Sequence, residues 1–226
     1  MQPTEPTSQP IAMPTEANAS PSAGEPAPPP GGLLFRYRSS LPVALALILV
    51  LCPWRLEMSA WQLWIGGALV LAGVVLRLWC ILQIGGSARK TSKLKAERVI
   101  SWGPYSLVRN PIYIANSTTF AGFTVAAGLA WLLPLILIGL FAWYNAIVGR
   151  EERFLEESHP DAFRAYKLQA RRWIPSVRYR GRPADVAPYP FLRALKRERG
   201  HIIAVGAGVL AVLVLRVLVP SIWGSH

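Results

Sequence analysis

Charged residues are scarce in this chain. Asp, Glu, Lys and Arg make up 16% of its 226 residues, whereas 52% are hydrophobic. A soluble domain normally carries about 25% charged residues, so the composition argues against an ordinary soluble protein. The charge that is present is mostly of one sign, with 24 Lys and Arg against 12 Asp and Glu. This excess indicates an anionic partner, either a membrane surface or a nucleic acid.

Cysteine is also rare, and the two present, Cys52 and Cys80, lie in apolar runs. Free cysteines in such runs behave as small buried hydrophobes, so the sequence predicts neither a disulfide framework nor a metal site. No convincing Ser-His-Asp or Cys-His nucleophile set is present. We interpret His159, which precedes Pro160, as part of a helix-start turn rather than as a base.

Residues 1–32 have almost no large apolar side chains but contain nine prolines. Such a segment cannot bury enough surface to offset its ordering entropy. We therefore predict that residues 1–34 are disordered. The segment also lacks the basic start and apolar centre of a signal peptide.

Four or five apolar segments that follow are candidates for transmembrane helices. A helix needs about 20 apolar residues to cross roughly 30 Å of hydrocarbon. The segments are Leu41–Trp54, which is short, then Trp61–Ile84, Ile112–Gly128, Ala130–Val148 and Ile202–Val219. Almost no polar sequence joins the third segment to the fourth, so we predict a tight helical hairpin there. The predicted fold is an all-α, polytopic membrane bundle of about five spans.

Basic residues predict the orientation of this bundle, because short loops rich in Lys and Arg stay in the cytoplasm. They cluster before the first span, between the second and third spans, and in residues 149–200, which hold thirteen. These clusters alternate with weakly charged turns, so all lie on one face. We expect a multi-pass protein of a bacterial inner membrane, with its N-terminus and site in the cytoplasm. Membrane lipids are the expected partner, and nucleic acid is not.

The same pattern divides the chain into regions. Residues 35–178 form the predicted membrane core, residues 179–200 a basic cytosolic linker, and residues 201–226 a C-terminal transmembrane helix. Two polar segments flank the hairpin inside the core, and the hairpin would bring them together.

These polar segments contain residues that have ordinary structural interpretations. Asn110 suits a helix N-cap and Pro111 the first helical position, while Glu151 and its acidic neighbours suit a solvated helix face. Considered together, they also suit a binding site. A helix N-terminus attracts anions, Arg109 adds a cation beside it, and Glu151 emerges from the partner helix. One anion-binding end and one carboxylate fit a zwitterion or a ribose.

Three aromatic residues, Trp102, Tyr105 and Tyr113, would add flat surfaces for a purine. The order of the motifs is Gly103-Pro104-Tyr105, Val108-Arg109-Asn110-Pro111-Ile112-Tyr113, the apolar hairpin, and Glu151-Glu152 with Leu155, Phe163, Tyr166 and Pro175. This order resembles the isoprenylcysteine carboxyl methyltransferase and phospholipid methyltransferase superfamily over about residues 77–175.

The resemblance implies an integral membrane methyltransferase that uses S-adenosylmethionine on a lipophilic acceptor. Carried over by position, it implies cofactor-binding residues Glu97, Arg98, Val99, Ile100, Tyr105, Asn110, Pro111, Ile112, Tyr113 and Glu151. Arg109 and Glu151 are the candidate catalytic residues: Arg109 would steer an anionic group, and a carboxylate could take a released proton.

The chain departs from the family pattern at three positions. The family usually has His at the position of Asn110 and often at that of Glu97, and its eukaryotic carboxyl methyltransferases have a substrate-facing Arg at the position of Ile147. Two alternatives follow. One is a sterol-reductase-like NADPH enzyme, which fits less well because Tyr113 is followed by Ile114-Ala115-Asn116. The other is an inactive membrane interaction protein of the same fold.

Overall fold

Residues 59–85 and 99–223 are described by a computed structural model, with side chains placed through residue 214. This part of the chain is helical and contains no strand, which confirms the predicted all-α class. The disordered segment predicted at 1–34, the span predicted at Leu41–Trp54, and the site residues Glu97 and Arg98 lie outside the described residues.

Six α-helices and one short 3-10 turn make up the described part. They are α1 (Ala60–Ile84), α2 (Pro104–Leu107), α3 (Pro111–Ala126), the 3-10 turn (Ala130–Leu132), α4 (Leu133–Ser158), α5 (Pro160–Gln169) and α6 (Phe191–Trp223). Proline occupies the first position of α2, α3 and α5. Its fixed φ suits that position, and its missing N–H would have no helical partner there. Helices α3 and α4 lie where the helical hairpin was predicted.

Among the described residues, two segments are long and apolar enough to cross a membrane, Ala60–Ile84 and Ala130–Ser158. Both leave large apolar side chains exposed, such as Trp64 and Leu71 on α1 and Leu135 on α4. Such surfaces suit contact with lipid. The remaining three predicted spans and the orientation of the bundle stay predictions.

Helices α1 and α3 approach each other closely through glycine. A Cβ added at Gly66 would lie 2.6 Å from Gly122 O, and one added at Gly73 would lie 2.7 Å from Ala115 O. Small residues allow such close backbone contact between apolar helices. Ala68 and Ala72 of the same helix are exposed, because they lie on the other side of α1 from the glycines.

Helices α3 and α4 enclose an aromatic and aliphatic cluster. Its buried members are Tyr113, Phe120, Leu140, Tyr144, Ile147 and Val148. The rings of Tyr113 and Tyr144 lie 4.7 Å apart between centroids. The cluster joins the start of α3 to the second half of α4, and α4 continues past the predicted end at Val148 as far as Ser158. Glu151 therefore stays on the same rigid helix.

Residues 171–180, here called the strap, run alongside the turn at 103–109. Gly103 N donates to Arg180 O at 2.8 Å, and Arg109 N donates to Arg171 O at 2.9 Å. Tyr166 Oη, just before the strap, donates to Tyr105 O at 2.7 Å. The strap thereby ties the end of the predicted core to the turn that carries the predicted site.

Helix α6 begins at Phe191, within the stretch 179–200 that was predicted as a linker. Its basic first turns continue without a break into the apolar segment predicted from residue 201. The helix packs against α1 and α3. Gly208 lies close to the ring of Phe123 at this contact, since an added Cβ would lie 2.9 Å from Phe123 Cζ.

Candidate cofactor site

Tyr113 and Glu151 form the central contact of the predicted site. Tyr113 Oη donates to Glu151 Oε1 at 2.9 Å. The tyrosine is 6% exposed and its ring packs on Tyr144, so its hydroxyl is held in place. This bond links the first turn of α3 to α4, as the predicted hairpin requires.

Asn110 occupies the predicted N-cap position of α3, and Pro111 the first helical position. The Asn110 side chain, however, makes no capping hydrogen bond. Its Nδ2 lies 3.5 Å from Glu152 Oε1 and 3.4 Å from Arg172 O, and donates to both. Asn110 is therefore the N-cap residue of α3 by position, as predicted, but its side-chain amide binds Glu152 and Arg172 O instead of capping the helix.

Glu152 is a central residue that the sequence did not single out. It is 8% exposed and accepts a hydrogen bond from Arg172 Nε at 3.1 Å. Arg109 Nε lies 3.5 Å from its other oxygen. Arg172 Nη1 also donates to Asn145 Oδ1 at 3.1 Å. Glu152 therefore joins the turn before α3, helix α4 and the strap.

The sequence contained a signal for this network. Glu152 is next to the predicted Glu151, and a pair of arginines, Arg171 and Arg172, comes shortly after helix α5. Charge complementarity alone does not show which carboxylate turns inward, because the strap that supplies Arg172 is irregular in structure.

Tyr105 and Tyr166 are both buried, and Tyr166 Oη donates a hydrogen bond to the backbone carbonyl of Tyr105. Burial raises the pKa of the Tyr105 phenol well above its usual value, and burial also raises the pKa of the Tyr166 phenol. Both side chains therefore stay neutral at physiological pH. A neutral phenol can donate one hydrogen bond to a ligand.

The predicted residues Val99 and Ile100 are half-buried. Val99 packs against the cluster of Phe163, Tyr166 and Ala170 on and after α5. These contacts do not test the predicted role of Val99 and Ile100 in cofactor binding. The same holds for Pro111 and Ile112 at the start of α3. The contacts form two neighbouring sets: Tyr113 with Glu151, and Arg109, Asn110 and Arg172 with Glu152.

Two buried hydrogen-bond donors on the turn at 102–109, Trp102 Nε1 and Tyr105 Oη, have no hydrogen-bond partner among the described residues. Arg109 Nε also makes no hydrogen bond, but it is ion-paired with Glu152 at 3.5 Å. Buried donors in native proteins are normally satisfied, so the first two suit a ligand rich in acceptors. S-adenosylmethionine has a carboxylate, two ribose hydroxyls and the adenine nitrogens, and the residues present fit such a group.

The substrate side differs from the family pattern. Ile147 is 2% exposed and belongs to the cluster between α3 and α4, so no cation occupies that position. Arg77 on α1 donates to Glu198 Oε2 and to Asn116 Oδ1, each at 2.6 Å. A guanidinium therefore lies one turn along α3 from Tyr113, but it comes from α1 rather than from α4.

Comparison with known proteins agrees with the sequence resemblance. Residues 61–162 match the family model described as phospholipid methyltransferase. The nickel-cobalt-cadmium resistance protein NccN of Alcaligenes xylosoxydans xylosoxydans is 30% identical over 111 residues, which is 46% of this chain and 49% of that protein. The cobalt-zinc-cadmium resistance protein CzcN of Cupriavidus metallidurans is 29% identical over 106 residues, covering 46% and 45%.

The chain thus spans about half the length of the curated relatives that it matches. No solved structure matches the chain. Most of the network described above, from Tyr105 to Glu152, lies within the matched segment, whereas Arg172 and Glu198 lie beyond it. The resemblance to the isoprenylcysteine carboxyl methyltransferase and phospholipid methyltransferase superfamily is therefore confirmed over residues 61–162 by the match to the phospholipid methyltransferase family.

Proposed function

We propose that this protein is a membrane methyltransferase that transfers the methyl group of S-adenosylmethionine to a lipophilic acceptor. The observation that carries the proposal is the Tyr113–Glu151 hydrogen bond at the start of α3, inside the segment that matches the methyltransferase family. The unsatisfied donors on the adjacent turn support it, because they provide what an acceptor-rich cofactor needs.

Each residue has a defined role in this proposal. The positive end of the α3 helix dipole and the Arg109 guanidinium hold the cofactor carboxylate. Glu151 accepts from the ammonium or from ribose hydroxyls, and Tyr113 fixes the direction of its carboxylate. Trp102 and Tyr105 provide apolar surface for the adenine and donate to its nitrogens or to the ribose.

Little further chemistry is required of the protein. The bound cofactor supplies a methyl group that is already electrophilic. The protein has to align the acceptor in line with it and keep water out. The buried cluster of α3 and α4 excludes water beside Tyr113, and the apolar outer faces of α1 and α4 suit entry of an acceptor from the bilayer.

The test is photocrosslinking of radiolabelled S-adenosylmethionine to the full-length protein in lipid nanodiscs. We expect Glu151→Gln and Tyr113→Ala to lower crosslinking at least about tenfold, since each removes a contact to a charged or polar group worth about 1.5–3 kcal/mol. Glu157→Gln, at an exposed position on the same helix, is the matched control. Equal labelling of all four proteins contradicts the proposal.

The same preparation separates the alternatives. Labelled NADPH in place of S-adenosylmethionine would identify the reductase-like function. Cofactor binding to neither, with no methyl group appearing in lipid or protein extracts, would identify a membrane interaction protein.

The two relatives are named for resistance to nickel, cobalt, zinc or cadmium. In the described ranges, no group of three His, Cys, Asp or Glu side chains could hold a metal ion. We therefore propose that any contribution of this chain to metal resistance comes from methylation of a membrane component and not from metal binding by these residues. Loss of metal tolerance in a Glu151→Gln strain that keeps normal protein levels would support this link, and unchanged tolerance would contradict it.

A further inference from the structure

An ion pair is buried between three helices on the membrane side of the cofactor residues. Arg77 Nε on α1 donates to Glu198 Oε2 on α6 at 2.6 Å, and Arg77 Nη1 donates to Asn116 Oδ1 on α3 at 2.6 Å. The two charged side chains are 13% and 8% exposed. Ionisable residues at membrane depth are costly and mark functional sites by default. Arg77, Asn116 and Glu198 have no role in the proposed cofactor site.

The ion pair lies next to the cofactor residues. On each of the three helices, a side chain of this group has another residue with a polar or thiol side chain three positions away, which is about 4.5 Å along a helix. These pairs are Arg77 and Cys80 on α1, Tyr113 and Asn116 on α3, and Glu198 and His201 on α6. Asn116 therefore lies one turn beyond Tyr113, whose hydroxyl binds Glu151. An acceptor held at the ion pair would be close to a cofactor held at Tyr113 and Glu151.

His201 adds an ionisable group to this ion pair. Its Nε2 is buried and has no hydrogen-bond partner among the described residues. The charged groups that face it are Arg77 on α1 and Glu198 on its own helix. On α4, Tyr144 faces the same Arg77, and α3 presents the uncharged Asn116. The imidazole nitrogen is thus available to a ligand. Burial and the Arg77 cation favour the neutral imidazole, which can accept a proton, whereas Glu198, one turn away, favours the protonated form.

We propose that Arg77, Glu198 and His201 form the acceptor side of the site, with His201 Nε2 as the group that takes the acceptor's proton. The acceptor is a lipophilic molecule with a protic nucleophile, an O–H or N–H group. This inference rests on the proposed methyltransferase function. It also accounts for the family position at Ile147: the cation missing there is provided by Arg77, and α6, which lies outside the matched residues 61–162, provides the base.

The transfer balances with these groups alone. The acceptor oxygen or nitrogen forms a bond to the methyl carbon as the carbon–sulfur bond breaks, and the sulfur keeps that electron pair. The acceptor proton moves to His201 Nε2. Glu198 stabilises the resulting imidazolium, and Arg77 and Asn116 keep the carboxylate in position until the proton leaves.

The test uses the full-length protein in nanodiscs made from its own membrane lipids, with methyl-labelled S-adenosylmethionine. Two quantities are measured from pH 3 to pH 9: photocrosslinking of the cofactor, and label in the lipid extract. The variants are His201→Gln and His201→Asn. His159→Gln, which makes the same change at the junction of α4 and α5, is the matched control.

We expect both His201 variants to crosslink the cofactor as the parent does, but to transfer methyl groups at least about 100-fold more slowly, the lower range for loss of a general base. They should also lose the fall in rate at acid pH that protonation of a base produces. A group with only a structural role would not change the shape of that profile. His159→Gln should match the parent in both quantities.

The inference is overturned if either His201 variant keeps the parent's rate and pH profile, or if both lose cofactor crosslinking. It is also overturned if the parent binds the cofactor and methylates nothing in its own membranes. A parent that does not crosslink S-adenosylmethionine at all refutes the proposed function itself, so the two failures are distinguishable.

Discussion

Glu152 shows how a single side chain can join three segments of this chain. Its carboxylate faces Arg109 from the turn before α3 and Arg172 from the strap, and it accepts from Asn110 at the start of α3. One carboxylate therefore provides the counter-charge for two arginine side chains, and Glu152 is only 8% exposed. Removing its charge leaves both guanidinium groups without a counter-charge in a partly desolvated site.

We therefore expect Glu152→Gln to lower the free energy of unfolding. Breaking a buried ion pair costs about 3–5 kcal/mol, and the effect should lie at the lower end because the Arg172 side chain is 36% exposed. The measurement is thermal unfolding in detergent, followed by tryptophan fluorescence. Glu157→Gln on the exposed face of α4 should unfold with the parent. A Glu152→Gln protein with the parent's midpoint would show that the network contributes nothing.

The buried phenols of Tyr105 and Tyr166 predict a weakness at alkaline pH. Burial raises both pKa values in the folded protein, whereas an unfolded tyrosine has a pKa of about 10. A raised folded pKa gives stability that is complete below the unfolded pKa and is lost as the pH rises through the folded one. The folded protein should therefore lose stability above about pH 10.

Tyr166→Phe tests this assignment. It removes the hydrogen bond to Tyr105 O, which should cost about 1 kcal/mol at neutral pH, and it removes one of the two buried ionisations. Compared with the parent, the variant should lose less additional stability between pH 9 and pH 11. Phenolate absorbance follows the ionisation. Identical alkaline unfolding curves would contradict the assignment.

Between elements, glycine decides how closely α1 and α3 pack. The two helices meet at Gly66 and Gly73 of α1 and at Gly122 of α3, where an added Cβ would lie within 2.7 Å of backbone atoms of the other helix. Backbone cannot move aside as a flexible side chain can. The close contact in turn places Arg77, one turn beyond Gly73, beside Asn116.

Gly73→Ala should therefore separate the two helices and destabilise the protein by about 1–3 kcal/mol, as overpacking does. Gly67→Ala is the matched control on the same helix, because an added Cβ there has no neighbouring atom within 4 Å. That control should keep or slightly raise stability, since alanine is the better helix former by about 0.5–1 kcal/mol. Equal thermal midpoints for the two variants would show that the contact is not tight.

For the whole molecule, charge and apolar length together predict the position in the membrane. The five predicted spans alternate with the Lys- and Arg-rich stretches, and among the described residues Ala60–Ile84 and Ala130–Ser158 are long and apolar enough to cross. With all five spans crossing, the positive-inside rule predicts residues 149–200 in the cytoplasm and the C-terminus outside. The same rule predicts that the candidate site lies at the cytosolic face.

Reporter fusions test this topology in a bacterial host. Green fluorescent protein fused after residue 185 should fluoresce, whereas alkaline phosphatase fused after residue 226 should be active, because the first folds only inside and the second only outside. The same reporters exchanged between the two positions should both be inactive. A fluorescent fusion after residue 226 would contradict the orientation and would leave α6 on the cytoplasmic side.

Much of this molecule could be predicted from local sequence. Apolar length predicted α1 and the hairpin, and proline marked the starts of α2, α3 and α5, because both depend on the backbone and on neighbours close in the chain. The contact between Tyr113 and Glu151 was also predictable, since a tight hairpin brings the outer ends of its two helices together. The motif order was enough for the family resemblance.

The partners of the buried charges were decided by the tertiary structure alone. The Asn110 amide and Arg172 both bind Glu152, and the strap that carries Arg172 has no sequence period to reveal its path. Arg77 and Glu198 are 121 positions apart in the chain, and many carboxylates could have matched that arginine. Helices follow from local sequence, whereas the choice of partner for a buried charge depends on which helices pack together.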